Sequence, residues 1–198
     1  MRSGYNYTER TPRLSTERWV TVRADAARNR AKVLKVAYEA FAEEGLGVPI
    51  DEIARRAGVG AGTVYRHFPT KDSLYQAVVT DRMRQLSEDA QALAAEDPGG
   101  ALYTFLRRMI DEAAVDHGLV DAMAGIGIDM SVVVPEGERE FMVALEKLLD
   151  LAQRAGTARS DVDVTHVKTL LIGLQAMQRF GGDSERIFQV VSDGLARS

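Results

Sequence analysis

The sequence predicts an all-α fold in two parts, a three-helix N-terminal unit followed by a larger helical half, with about nine helices in all. Three observations lead there. Apolar residues recur at helical spacing along almost the whole chain, no alternating strand pattern persists, and no repeat or low-complexity tract interrupts the series. The stretch 50–71, IDEIARRAGVGAGTVYRHFPTK, splits into two short helices across a glycine-containing turn.

Residues 1–24 mix Gly, Asn, Thr, Pro and Arg without a helical period, and they are expected to form a flexible basic arm. Its five arginines (Arg2, Arg10, Arg13, Arg18, Arg23) face only Glu9 and Glu17, a composition that suits either a groove-reaching arm or an idle tail. Asp25 is the expected cap of a first helix over 26–45, whose Leu34, Ala37, Tyr38 and Phe41 make an amphipathic stripe. Short helices follow at 50–57 and 61–68, separated by Gly58-Val59-Gly60. Pro69 stops the second, and Thr70 is placed to cap a long helix over 71–96. The sequence Asp97-Pro98-Gly99-Gly100 ends that helix. Further helices are expected at 101–116, 119–130, 138–155 and 164–180, and a last one at 185–196 capped by Ser184.

The helix over 61–68 has two unlike sides. At 100° per residue Val64 and Phe68 share one side with Ala61 beside them, while Gly62 and Arg66 point away. Thr63 and Tyr65 lie on the shoulders. Such a helix is anchored by two apolar residues and presents a guanidinium, a hydroxyl and bare backbone outward. A guanidinium can bond a guanine in bidentate fashion, and a threonine can meet a phosphate, a base edge or a thymine methyl. Tyr65, His67 and Lys71 surround that side as phosphate contacts.

The run GVGAGTVYRHFPTKDSLYQAV, with the preceding IDEIARRA, closely resembles the DNA-binding signature of TetR-type transcriptional regulators over residues 31–79. The resemblance implies DNA contacts from Thr63, Tyr65, His67 and Lys71. Together with the helical geometry it makes Ala61, Gly62, Thr63, Tyr65, Arg66, His67 and Lys71 the expected contact set. One position departs: Pro49 stands where the family often has Ser or Thr, suiting a helix start but supplying no hydroxyl. The family further implies a domain at 25–71 that binds DNA and a domain at 72–198 for effector binding and dimerisation. Its expected role is a repressor released from a palindromic operator by a small molecule.

Charge agrees with that division. The chain carries −4 overall, yet residues 1–71 hold 13 basic against 8 acidic residues and residues 72–198 hold 12 against 21. A basic end and an acidic body would orient the molecule end-on to a polyanion. The chain has no cysteine, so disulfides, thiolate metal sites and a cysteine nucleophile are excluded. No apolar run spans a bilayer and no secretory signal opens the chain, so a cytoplasmic protein without membrane contact is expected.

The histidines and carboxylates show neither a nucleophile motif nor metal-ligand spacing, and no catalytic residue, metal or cofactor is expected. Phe105, Met109, Met123, Ile126, Met130, Phe141 and Leu145 form an apolar, sulfur-rich lining suited to an effector pocket, and the same list suits an ordinary core. Val167, Leu170, Leu171, Leu174, Met177, Ile187, Val190 and Val191 make the last two helices the expected homodimer interface. Two rivals remain at this stage, a helical-bundle carrier or enzyme without specific DNA binding, and a regulator controlled by a protein partner.

Overall fold

The computed structural model describes residues 16–115, 134–178 and 183–196. Eight α-helices occur among them: α1 (Thr16–Glu44), α2 (Ile50–Ala57), α3 (Ala61–His67), α4 (Lys71–Glu96), α5 (Ala101–Val115), α6 (Pro135–Arg154), α7 (Val164–Gln178) and α8 (Ser184–Leu195). No strand is present among these residues, as an all-α fold requires. The helix expected at 119–130 lies outside the described residues.

Two apolar clusters organise the chain. In the head, Val33, Leu34, Ala37 and Phe41 of α1 pack with Ile53 and Ala57 of α2, Val64 of α3, Phe68, and Leu74 and Val78 of α4. In the body, Leu86, Ala90 and Leu93 of α4 pack with Leu102, Phe105 and Leu106 of α5, Leu145 and Leu148 of α6, and Val167 and Leu171 of α7. Helix α4 belongs to both. Its 26 residues span about 39 Å at 1.5 Å per residue, and Met83, near its middle, packs against both clusters. Val134, at the start of α6, is buried in the head cluster, so the body reaches back across the junction.

Three helix starts differ from the sequence-based expectation. Helix α1 begins at Thr16, not after residue 25, so residues 16–24 are helical and Asp25 lies within the helix, paired with Arg28. No Gly or Pro interrupts 16–44, and nothing there forces a start at Asp25. Helix α6 begins at Pro135, because proline fits the first helical position, where its missing N–H costs nothing. Helix α8 is capped by Asp183, whose carboxylate accepts from the Glu185 and Arg186 N–H groups, and Ser184 is its first residue.

The start of α4 is as the sequence predicts. Thr70 Oγ1 accepts from the Ser73 N–H at 3.1 Å, and Ser73 Oγ accepts from the Thr70 N–H at 3.1 Å. This reciprocal pair satisfies two otherwise unpaired donors and fixes where α4 leaves the head. Thr70→Ala should therefore lower unfolding stability by about 1 kcal/mol, read by urea denaturation; unchanged stability would show that the cap is idle.

Candidate nucleic-acid interface

The turn between α2 and α3 is set by one glycine. Gly58 sits at φ 64°, a left-handed conformation that costs residues with a Cβ. Its N–H donates to Arg55 O at 3.2 Å, while the Val59 N–H donates to Ala54 O at 3.0 Å. These two bonds close the C-terminus of α2 in a Schellman arrangement. Gly60 then opens α3, its carbonyl accepting from the Thr63 N–H at 2.8 Å and the Val64 N–H at 3.3 Å.

Helix α3 is held from beneath. Val64 and Phe68 are buried in the head core, and the Arg30 guanidinium lies 5.7 Å from the Phe68 ring centroid. The opposite side is open: Gly62, Tyr65, Arg66 and His67 are exposed, Ala61 and Thr63 are half-buried, and Tyr65 shows 43% of its surface. An exposed large aromatic on a seven-residue helix has no role in the core. Lys71, half-buried, opens α4 beside this surface. The structure thus brings Ala61, Gly62, Thr63, Tyr65, Arg66, His67 and Lys71 close together around α3 and the start of α4, with Ala61, Thr63 and Lys71 half-buried.

Electrostatics separates the cations into two groups. Arg55 forks onto Glu52 through bonds of 2.7 and 2.8 Å, and Arg56 bonds Glu52 at 2.8 Å and Glu44 at 2.5 Å. The hydrogen bonds from Arg55, then those from Arg56, hold the Glu52 carboxyl down at about 2. These arginines tie α2 to itself and to the end of α1. Arg66, His67 and Lys71, by contrast, have no carboxylate partner among the described residues. Their donors are free for an external anion.

A family model for bacterial regulatory proteins of the tetR family matches residues 33–78, and one for the C-terminal domain of SbtR-like transcriptional regulators matches residues 97–197. The solved TetR transcription regulatory protein from Mycobacterium vanbaalenii is 56% identical, with a TM-score of 0.74, covering 88% of this chain and 99% of that one. The chain belongs to the TetR family of transcriptional regulators. A solved TetR regulator from Streptomyces coelicolor is 35% identical with a TM-score of 0.69, covering 85% of this chain and 99% of that one. An HTH-type transcriptional regulator of Staphylococcus aureus (strain USA300) is 39% identical over 59 residues, which span 29% of this chain and 32% of that protein. TetR regulators bind DNA, typically as dimers, and respond to small molecules. The relatives are transcriptional regulators, not enzymes.

The body residues singled out from sequence fall into three groups. Phe105, Met109, Phe141 and Leu145 are buried in the body core, where the Phe105 and Phe141 rings stand 6.2 Å apart. Met123, Ile126 and Met130 lie outside the described residues. In the expected dimer set, Val167, Leu171 and Leu174 are buried in the chain's own core. Leu170, Met177 and Val190 are exposed and Ile187 and Val191 half-buried, and Ile172 on the same helix as Leu170 is 57% exposed. Helix α7 is apolar on more than one side, so spacing alone put two sides into one set. Leu170, Val190 and Val191 line a groove of about 480 Å³ between α7 and α8, with Val162, Thr165, His166, Thr169, Gly194 and Leu195. No helix among the described residues is long and apolar enough to cross a membrane.

Because folding lowers the Glu52 pKa from the ordinary 4.5 to about 2, its ion pairs contribute stability that is complete above about pH 4.5 and is lost as the pH falls toward 2. Urea midpoints for the wild type and Glu52→Gln should differ near neutrality and converge across that window; a difference independent of pH would show that the pairs contribute nothing.

Proposed function

We propose that this TetR regulator is a repressor acting as a homodimer, in which each copy inserts α3 into a major groove of a palindromic operator and a small molecule held in the body releases it. The observation that carries this reading is the open side of α3, where Arg66 and His67, with Lys71 at the start of α4, stand without carboxylate partners among the described residues beside the buried anchors Val64 and Phe68. In this reading Arg66, with Gly62 and Thr63, reads base edges, and Tyr65, His67 and Lys71 fix register on phosphates, with Ala61 at the margin. The two apolar clusters support a DNA-binding domain at 25–71 and an effector-binding and dimerisation domain at 72–198, with α4 shared between them.

The junction supports control at a distance. Arg82 of α4 pairs with Glu112 of α5 and lies 5.7 Å from the Tyr38 ring centroid of α1, touching body and head together. With Met83 between the clusters and Val134 buried in the head, movement of α5 or α6 reaches α1 and α4 through packed contacts. A ligand of the body then changes the presentation of α3 only if it binds two arrangements of this junction unequally. The occupant of the operator-free state is an unknown small-molecule effector, and the exposed residues beside the α7–α8 groove, Leu170, Met177 and Val190, are the dimer surface in this account.

The test compares two variants on duplexes enriched from a random pool. Arg66→Ala should relax preference at particular base pairs by about 1–3 kcal/mol, while Lys71→Ala should weaken binding to all sequences and reduce the salt slope by about 1 per subunit. Equal losses on every sequence for both variants would refute base reading by Arg66.

A further inference from the structure

Residues 33–71 taken together are electrically neutral, and the basic excess of the head lies elsewhere. Residues 33–71 hold five basic and five acidic residues, Arg55 and Arg56 among them already paired. Residues 16–32 hold five basic residues (Arg18, Arg23, Arg28, Arg30, Lys32) against Glu17 and Asp25. The tetR-family model begins only at residue 33, and from residue 24 on Val33 is the first buried residue of α1. Of residues 24–32, seven are exposed, and only Ala26 and Asn29 are half-buried. Four alanines (Ala24, Ala26, Ala27, Ala31) favour helix there without support from a core. Residues 24–32 of α1 therefore lie outside the head core.

Its exit point is fixed. The Arg30 guanidinium rests against Phe68, the residue that follows the C-terminal end of α3 and precedes Pro69, Thr70 and Lys71. From residue 30 back to Thr16 the helix continues for fourteen residues, or about 21 Å. Arg30 and Lys32 have no carboxylate partner among the described residues, and Arg28 pairs with Asp25 on the same helix. We infer that residues 16–32 of α1 form a second DNA-contacting element, a basic helix that leaves the head beside α3 and binds the phosphates of the duplex flanking each half-site. This rests on the DNA-binding reading above and extends its footprint by about 6 base pairs on each side, since 21 Å at 3.4 Å per base pair is about that length. A polyanion with regularly spaced charges suits such a helix, because phosphate contacts need charge and proximity and carry no sequence requirement.

Two duplexes test it on the full chain. One ends at the outer edges of the pool-enriched half-sites, and the other continues for about 10 base pairs beyond each, a full helical turn. Both are titrated with wild type and with Arg18→Gln/Arg23→Gln, a change that keeps good helix formers, at several salt concentrations. Wild type should bind the long duplex with a steeper salt slope than the short one. The variant should lose that difference while keeping its sequence preference on the short duplex. With two arginines in each of two copies, the slope should change by up to about 4, at about 0.9 per phosphate contact. Equal wild-type slopes on the two duplexes, or a variant with the full wild-type slope, would overturn the inference while specific binding to the short duplex left the regulator reading standing. If wild type distinguishes neither duplex from a scrambled one, both readings fall.

Discussion

The burial of Val64 and Phe68 is the constraint on which the rest of the molecule depends. These two side chains attach α3, a helix too short to be stable alone, to α1, α2 and the start of α4. Complete burial of an apolar side chain of this size contributes about 1.5–3 kcal/mol. Because both anchors lie on one side of the helix, the rotation of α3 is fixed, and its polar side has only one direction to face. Arg30 lies over the Phe68 ring, linking that anchor to α1. Gly58 completes the constraint through its left-handed backbone, so a hydrogen-bonded turn of only three residues, 58–60, joins α2 to α3 and leaves no long loop to let α3 swing.

Charge is handled by the same economy. Glu52 and Glu44 absorb Arg55 and Arg56, so two cations near the turn serve packing between α1 and α2 and leave the surface potential to others. Specificity and affinity then separate in space. A helix-turn-helix with a few free donors is suited to discriminate sequences, and a basic helix beside it is suited to supply attraction that does not discriminate. The acidic body, with 12 basic against 21 acidic residues, disfavours any other orientation on a polyanion.

The helix-turn-helix was legible because its signals are local. Gly58, the Val64/Phe68 pair, Pro69 and the Thr70 cap each act within four residues, and each acts as its chemistry predicts. The helix starts at Thr16, Pro135 and Ser184 were harder: no Gly or Pro marks a start in 16–25, Pro135 fits the first helical position without a side-chain cap, and at α8 Asp183, not the neighbouring Ser184, is the cap. The sides of α7 were not legible at all: Val167, Leu171 and Leu174 differ from Leu170, Ile172 and Met177 only in what packs over them. The Arg82–Glu112 and Lys168–Glu138 pairs each join residues thirty apart in sequence, and no local pattern announces them. The first pair lies where α4 passes from head to body and the second joins α7 to α6, so the packing of these helices is read from the structure and not from spacing.

The central claim is that two copies of α3 read one DNA site together. It is tested most directly by sequencing the duplexes that the purified wild-type protein retains from a random pool. The account predicts an enriched inverted repeat with half-site centres about 10 base pairs, or a small multiple of that, apart. A folded, dimeric preparation that enriches no sequence, or only an asymmetric one, would contradict it.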